Sequence, residues 1–162
     1  MSEKANFKTN ALRILETLKI NYILHKYDHD DEFAGGISIA EKLGQDKAQV
    51  FKTIVTHGAS GENYVFVLPV AKEIDFKAAA RTVGEKSVEM IKLTDLTKIT
   101  GYIRGGCSPI GMKKKFRTVI DSSCKNFSTI MVSAGKVGYQ MELAPEDLIK
   151  AADCTVESIT QG

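Results

Sequence analysis

The chain has 162 residues, of which 43% are hydrophobic and 26% charged, and its formal net charge is +2. These values suit one globular domain over residues 1–162 with a sizeable core. They exclude a fold that binds nucleic acid through its overall charge, so any such contact must use a local patch. No apolar run is long enough to span a bilayer, and Met1-Ser2-Glu3-Lys4 lacks the apolar stretch of a signal peptide. The three cysteines, Cys107, Cys124 and Cys154, are widely spaced without a Cys-x-x-Cys pair. They argue against a disulfide framework or a zinc site and for a reducing cytoplasm.

Residues 5–19 read as an amphipathic helix, because Phe7, Ala11, Ile14, Leu15 and Leu18 recur at helical spacing. Asn21 to Tyr27 alternates like a strand, with Tyr22, Leu24 and Lys26 on one face and Ile23, His25 and Tyr27 on the other. Asp28 to Gly36 is an acidic loop. Ser38 with Glu41 forms a capping box that predicts a short helix to Leu43, stopped by Gly44. Asp46 with Gln49 is a second, weaker cap. Val50 to His57 and Tyr64 to Val70 are β-rich runs joined by a turn over Gly58 to Asn63.

Asp75 is placed to cap an alanine-rich helix through Val83 to Gly84, and Thr94 begins a further short helix ending at Gly101. Phe116 to Asp121, Thr129 to Ser133 and Gly138 to Leu143 read as three more strands, with a turn over Ala134 to Gly138. Pro145 opens the last helix, with Glu146 and Asp147 in its first turn and Lys150 near its end. Strands in runs with helices between predict an α+β class and a mixed, mostly antiparallel sheet.

The segment Gly101 to Lys115 packs four glycines around Ser108-Pro109 and ends in three lysines. A stiff loop with free N–H groups beside a basic rim suits a phosphate, carboxylate or oxyanion. It is not a P-loop, since Met112 and not lysine follows Gly111. Nor is it a nucleophile elbow, since the glycine after Ser108 arrives one residue late and Pro109 has no N–H to give. Ser108 therefore reads as a turn-former or ligand contact. Lys52 shares a strand face with Val50 and Ile54; it points either into a cavity or into water. His25 and His29 are four apart, a metal spacing only on a helix, and the strand reading argues against a metal. Lys113, Lys114, Lys115 and Arg117 are a basic cluster, either solvated or in contact with phosphates.

Val50-Phe51-Lys52-Thr53, Gly105-Gly106-x-Ser108-Pro109-x-Gly111 and Ser133-Ala134-Gly135-Lys136-x-Gly138 together resemble the YbaK family in order and spacing. So do the early helix and His25-x-Tyr27-x-His29-Asp30. The likeness covers nearly the whole chain and is nearer to free-standing members than to the editing domain inserted in prolyl-tRNA synthetase. It implies a compact α+β domain with a mixed, barrel-like sheet and flanking helices. It also implies a trans-acting deacylase that clears cysteine from tRNA(Pro), with no cofactor and no metal, and with prolyl-tRNA synthetase as a further partner.

Carried over residue by residue, Lys52 is the catalytic lysine and Tyr27 and Phe33 are pocket residues. Gly105, Gly106, Ser108, Pro109 and Gly111 form a substrate-cradling loop, with Ser133 and Gly135 on the opposing wall. Lys113, Lys114, Lys115 and Arg117 are then the tRNA contacts. Gln140 stands where an aspartate is expected in relatives, which leaves open any role for that carboxylate. The family chemistry is cleavage of the ester by the substrate's own thiol, and this sequence offers no convincing Ser–His–Asp or Cys–His set. Three further readings stand beside it: a deacylase of another mischarged tRNA, such as Ala-tRNA(Pro); a non-catalytic module that binds tRNA or the synthetase; and a hydrolase with Cys107 as nucleophile, for which the sequence assigns no histidine partner.

Overall fold

The computed structural model describes residues 8–28 and 35–162. Two sheets and five α-helices follow in the order α1 (Asn10–Thr17), β1 (Ile23–Lys26), α2 (Gly36–Leu43), β2 (Phe51–Gly58), β3 (Asn63–Pro69), α3 (Phe76–Val83) and β4 (Val88–Met90). Then come α4 (Leu96–Thr100), β5 (Arg117–Asp121), β6 (Ile130–Ser133), β7 (Tyr139–Leu143), α5 (Pro145–Ala152) and β8 (Cys154–Glu157). One sheet runs β4-β2-β3-β5-β8 and the other β1-β7-β6. The β3–β5 and β5–β8 pairs are parallel, and the other pairs are antiparallel. The class is therefore α+β with a mixed sheet, as the sequence predicts. The two sheets are open and join where Val50 bridges Met131; no closed barrel forms among the described residues.

Strand alternation divides the core. Phe51, Val55, Val65, Val67 and Ile120 face α1, α5 and the smaller sheet, against Leu12, Leu15, Met141 and Leu148. Ile54, Phe66, Leu68 and Val119 face the other way and pack under α3 on Ala79, Ala80 and Val83. A third, small cluster of Ala40, Val50, Val70 and Met131 seats α2. Each Val, Leu, Ile, Phe or Met side chain buried this fully contributes on the order of 1.5–3 kcal/mol.

Several boundaries differ from the sequence reading for local reasons. Thr9 caps α1 by accepting from Leu12 N and donates to the Ala134 carbonyl at 2.6 Å, so the helix starts there and is tied to the turn after β6. Leu18, expected on the buried face, follows the last helical turn and is 41% exposed. The capping box at Ser38 does not form. The helix starts at Gly36 with Gly35 as its cap, which puts Ser38 inside the first turn. Gly36 lies against Val70 so closely that a Cβ there would stand 2.3 Å from its Cγ1, and this contact sets the helix start. Asp46 caps only a turn, accepting from Ala48 N at 2.9 Å, while the Gln49 side chain turns to the Thr129 carbonyl at 2.8 Å. Strands β4 and β8 carry mostly exposed or half-buried residues, and so lack the apolar run that reads as a strand.

The predicted cap of α3 does form, and α5 starts at Pro145 as expected. Asp75 accepts from both Lys77 N and Ala78 N, and Gly84 closes the helix in the left-handed region. Replacing Asp75 by Ala should lower unfolding free energy by about 1 kcal/mol, the usual cost of losing an N-cap. Urea titration checks this, and a loss below a few tenths would mean that the α3 packing alone fixes the helix.

Candidate active site

A cavity of about 390 Å³ opens beside the junction of the two sheets. Its walls come from the end of β1 (Tyr27), the start of β2 (Val50 to Thr53), Val70 after β3, and α2 with Gly35, Gly36, Ile37 and Ile39. The loop before β5 adds Gly105 and Cys107, and β6 and β7 add Val132, Ser133, Tyr139 and Gln140. Small-molecule sites run from about 300 to 1,000 Å³, so this cavity lies within the range of a ligand site.

Lys52 is the one charged side chain among the described residues that line it. It lies on the β2 face shared with Val50 and Ile54, between the cluster beneath α3 and the cluster beneath α2. Of the two directions open to it from sequence, the structure gives the cavity. Burial holds its ammonium below the ordinary lysine value, and the charge of Glu73 offsets part of that shift. No carboxylate among the described residues makes an ion pair with it. A half-buried cation without a partner is poised for an anionic ligand.

The groups around Lys52 are held in protonated, neutral form. Tyr27 is 7% exposed, and burial raises its phenol above the usual range. Cys107 is half-buried in the wall, and burial pushes its thiol up to about 12. A thiolate at neutral pH is thereby disfavoured. Neither a histidine nor a carboxylate lines the cavity among the described residues. His25 is engaged elsewhere, with Nε2 2.7 Å from Glu142 Oε1, and His57 is exposed on β2. No cluster of metal-ligating side chains occurs among the described residues.

Of the residues singled out from sequence, Tyr27, Lys52, Gly105 and Ser133 meet at this cavity. Phe33, His29 and Asp30 lie outside the described residues. Ser108 is fully buried and its Oγ accepts from Ile110 N at 3.3 Å, which makes it a brace inside the loop. Gly106 approaches the next turn closely: a Cβ would stand 3.0 Å from Val137 N. That contact packs the loop before β5 against the turn between β6 and β7. Gly135, whose N–H donates to Ser133 Oγ at 3.2 Å, shapes that same turn. Pro109 and Gly111 line a second cavity of about 240 Å³ on the far side of the loop, with Lys114 and Lys115 also in its wall. Tyr102 Oη stiffens the partition by donating to the Ile110 carbonyl at 2.7 Å.

The basic residues after the loop diverge. Lys113 reaches the Lys98 carbonyl at 3.5 Å, and Lys114 sits over the Phe116 ring. Lys115 pairs with Asp153 at 3.1 Å, and Arg117 donates to the Thr82 carbonyl at 2.8 Å. All four are exposed, and none lines the larger cavity. The α2 wall is what the sequence reading missed, because Gly35-Gly36 reads there only as the end of an acidic loop. Gln140, singled out for standing where relatives are expected to carry an aspartate, does line the cavity.

The sequence profile of the aminoacyl-tRNA editing domain matches residues 37–151. Among curated proteins, the chain is 44% identical over 158 residues to EbsC of Enterococcus faecalis (strain ATCC 700802 / V583), covering 98% of this chain and 96% of EbsC. EbsC carries a provisional name as a Cys-tRNA(Pro)/Cys-tRNA(Cys) deacylase. Among solved structures, hypothetical protein APE2540 superposes with a TM-score of 0.86 at 18% identity, over 94% of this chain and 100% of that one. A protein provisionally described as a trans-editing enzyme for prolyl-tRNA synthetase superposes with a TM-score of 0.81 at 18% identity, over 97% and 100%. At that identity the superpositions speak for the fold, while the profile and the 44% identity establish the descent. This chain belongs to the aminoacyl-tRNA editing domain family.

Proposed function

We propose that the chain is a trans-acting editing enzyme that deacylates cysteine mischarged onto tRNA(Pro). One observation carries this reading. Among the described residues the cavity offers a single ammonium, Lys52, which makes no ion pair, and no protein nucleophile with a base beside it. A site so equipped is suited to a substrate that brings its own nucleophile, and cysteine does. The similarity to EbsC, whose name covers Cys-tRNA(Pro) and Cys-tRNA(Cys), supports the substrate class.

In this reading the cysteinyl Sγ, as thiolate, attacks the ester carbonyl carbon. A C–S bond forms and the C–O bond to the ribose breaks. The products are a four-membered thiolactone and a ribose hydroxyl that takes a proton from solvent. The thiol has an ordinary pKa near ~8.5, so a nearby ammonium favours the thiolate and the oxyanion that follows. Lys52 supplies that charge. Tyr27, Gly105 and Ser133 confine the acyl group, and Phe33 is assigned to the same pocket by resemblance. Gly106, Ser108, Pro109, Gly111 and Gly135 act by shaping the two turns. Lys113, Lys114, Lys115 and Arg117 receive tRNA phosphates, prolyl-tRNA synthetase is the partner that hands over the mischarged tRNA, and the setting is the cytoplasm.

The test is a deacylation panel with Cys-tRNA(Pro), Cys-tRNA(Cys), Ala-tRNA(Pro) and Ser-tRNA(Pro). The cysteine esters should be cleaved and the serine ester nearly spared, since a hydroxyl is a far weaker nucleophile than a thiol. Preference for the alanine ester would replace the substrate assignment, and no turnover of any ester would leave a binding module. The Cys107, Cys124 and Cys154 triple Ala variant should retain cysteine deacylation if folded. Loss of most activity would return the nucleophile to the protein.

Lys52→Met should abolish deacylation while leaving the fold at least as stable at neutral pH. The sign follows from the lowered pKa of Lys52. The folded protein bears a desolvation cost while Lys52 is charged. That cost is full below the folded-state pKa and fades as pH rises through it toward the ordinary 10.5. The stability advantage of the variant should therefore shrink with rising pH in thermal melts. A variant markedly less stable at neutral pH would make Lys52 a structural residue.

A further inference from the structure

The wall of the cavity formed by α2 is anchored at its far end by one side-chain pair. Gly44 takes the left-handed conformation after α2, and Gln45 N–H donates back to the Ala40 carbonyl at 2.9 Å. This closure of the helix end fixes Gln45 rigidly to α2. Its side chain then crosses to β7. Gln45 Nε2 donates to Gln140 Oε1 at 2.7 Å, and Gln140 Nε2 donates to Gln45 Oε1 at 3.1 Å. Gln140 is 3% exposed and lines the cavity, whereas Gln45 does not touch it.

The other attachments of α2 are of different kinds. Gly36 abuts Val70, Ala40 enters the small cluster with Val50 and Met131, and exposed Lys42 reaches the Asp28 carbonyl at 3.2 Å. The first two contacts are apolar and fix closeness without fixing direction, and the third is a single exposed hydrogen bond. A doubly hydrogen-bonded amide pair fixes both distance and direction, and leaving the buried Gln140 amide without its partner costs more than the bond itself contributes. The pair is also uncharged, so it places no carboxylate in the cavity to compete for Lys52.

We infer that Gln45 is a positioning residue for the proposed deacylation, holding the α2 wall in place through Gln140. This inference rests on the function proposed above. Gln45 acts at one remove: it sets where Gly36, Ile37 and Ile39 stand relative to Lys52.

Gln45→Ala should raise KM for Cys-tRNA(Pro) roughly tenfold, the equivalent of about one such hydrogen bond, with kcat much less affected. Amides of residues 36–43 should exchange with deuterium faster than in the parent, with exchange in β2 and β3 unchanged. Gln45→Glu gives a readout that packing alone would not move. As a carboxylate it can accept from Gln140 Nε2 but cannot donate to Gln140 Oε1; once protonated it can do both. Its KM, taken relative to the parent at the same pH, should therefore fall toward the parent value as pH is lowered from 7.5 to about 5, near a carboxyl pKa raised by burial. A Gln45→Ala variant with parental KM and parental exchange in α2 would overturn the inference. So would a Gln45→Glu variant whose relative KM does not respond to pH. If the parent itself does not deacylate Cys-tRNA(Pro), the proposed function fails, and deuterium exchange, which needs no substrate, still decides whether the pair holds α2.

Discussion

Both sheets depend on one crossing of the backbone. Val50 accepts from Val70 N at 2.8 Å on the five-stranded side, and Gln49 accepts from Met131 N at 3.0 Å on the three-stranded side. The segment entering β2 is thus shared between the sheets, and its side chains have no freedom to choose a face. Beyond this point the sheets diverge, and the gap is the cavity. Lys52 is two residues along from Val50 on the same strand face, so the constraint that joins the sheets also delivers the lysine to the gap.

That placement has a physical cost that the described surroundings relieve only in part, through the charge of Glu73. A structural lysine in such a position would be expected to find a carboxylate, and the nearest charge influencing Lys52 is the exposed Glu73. In the described wall, burial pushes Cys107 and Tyr27 further from ionising. The site concentrates one positive charge in a small, half-apolar space. Preorganised charge of this kind acts on negative charge that develops during a reaction, with little reorganisation at that moment. In the proposed function, selectivity then comes from the substrate, which supplies a nucleophile not found with a base among the described residues of the wall. Such a division of labour suits editing, because a pocket alone separates near-isosteric amino acids poorly.

Much of this was legible in the sequence where one residue decides the outcome. Asp75 caps α3, Pro145 opens α5, and Gly84 and Gly101 end their helices, because each relies on a local backbone preference. The β2–β3 hairpin and the α+β class followed from apolar alternation. The failures are places where tertiary contact overrides a local signal. Ser38 and Glu41 had the right spacing for a cap, yet the contact of Gly36 with Val70 moved the start of α2 three residues earlier. In the site, Lys52 was visible as a charge in an apolar strand, but not its exposure to a cavity. Nor does sequence reveal that the Gly105–Gly111 loop divides two cavities, with Gly105 facing one and Gly111 the other. The Gln45–Gln140 pair joins residues far apart in the chain, and nothing local to either announces it.

The central claim is that the protein supplies shape and one cation while the substrate supplies the nucleophile. The most direct measurement is a single-turnover reaction of Cys-tRNA(Pro) at saturating enzyme, with the released product trapped and identified by mass. The account predicts the cyclic thiolactone as the first product, appearing at the rate at which tRNA is freed. Free cysteine at that rate, with an oxygen drawn from labelled water, would contradict it and make an activated water the nucleophile.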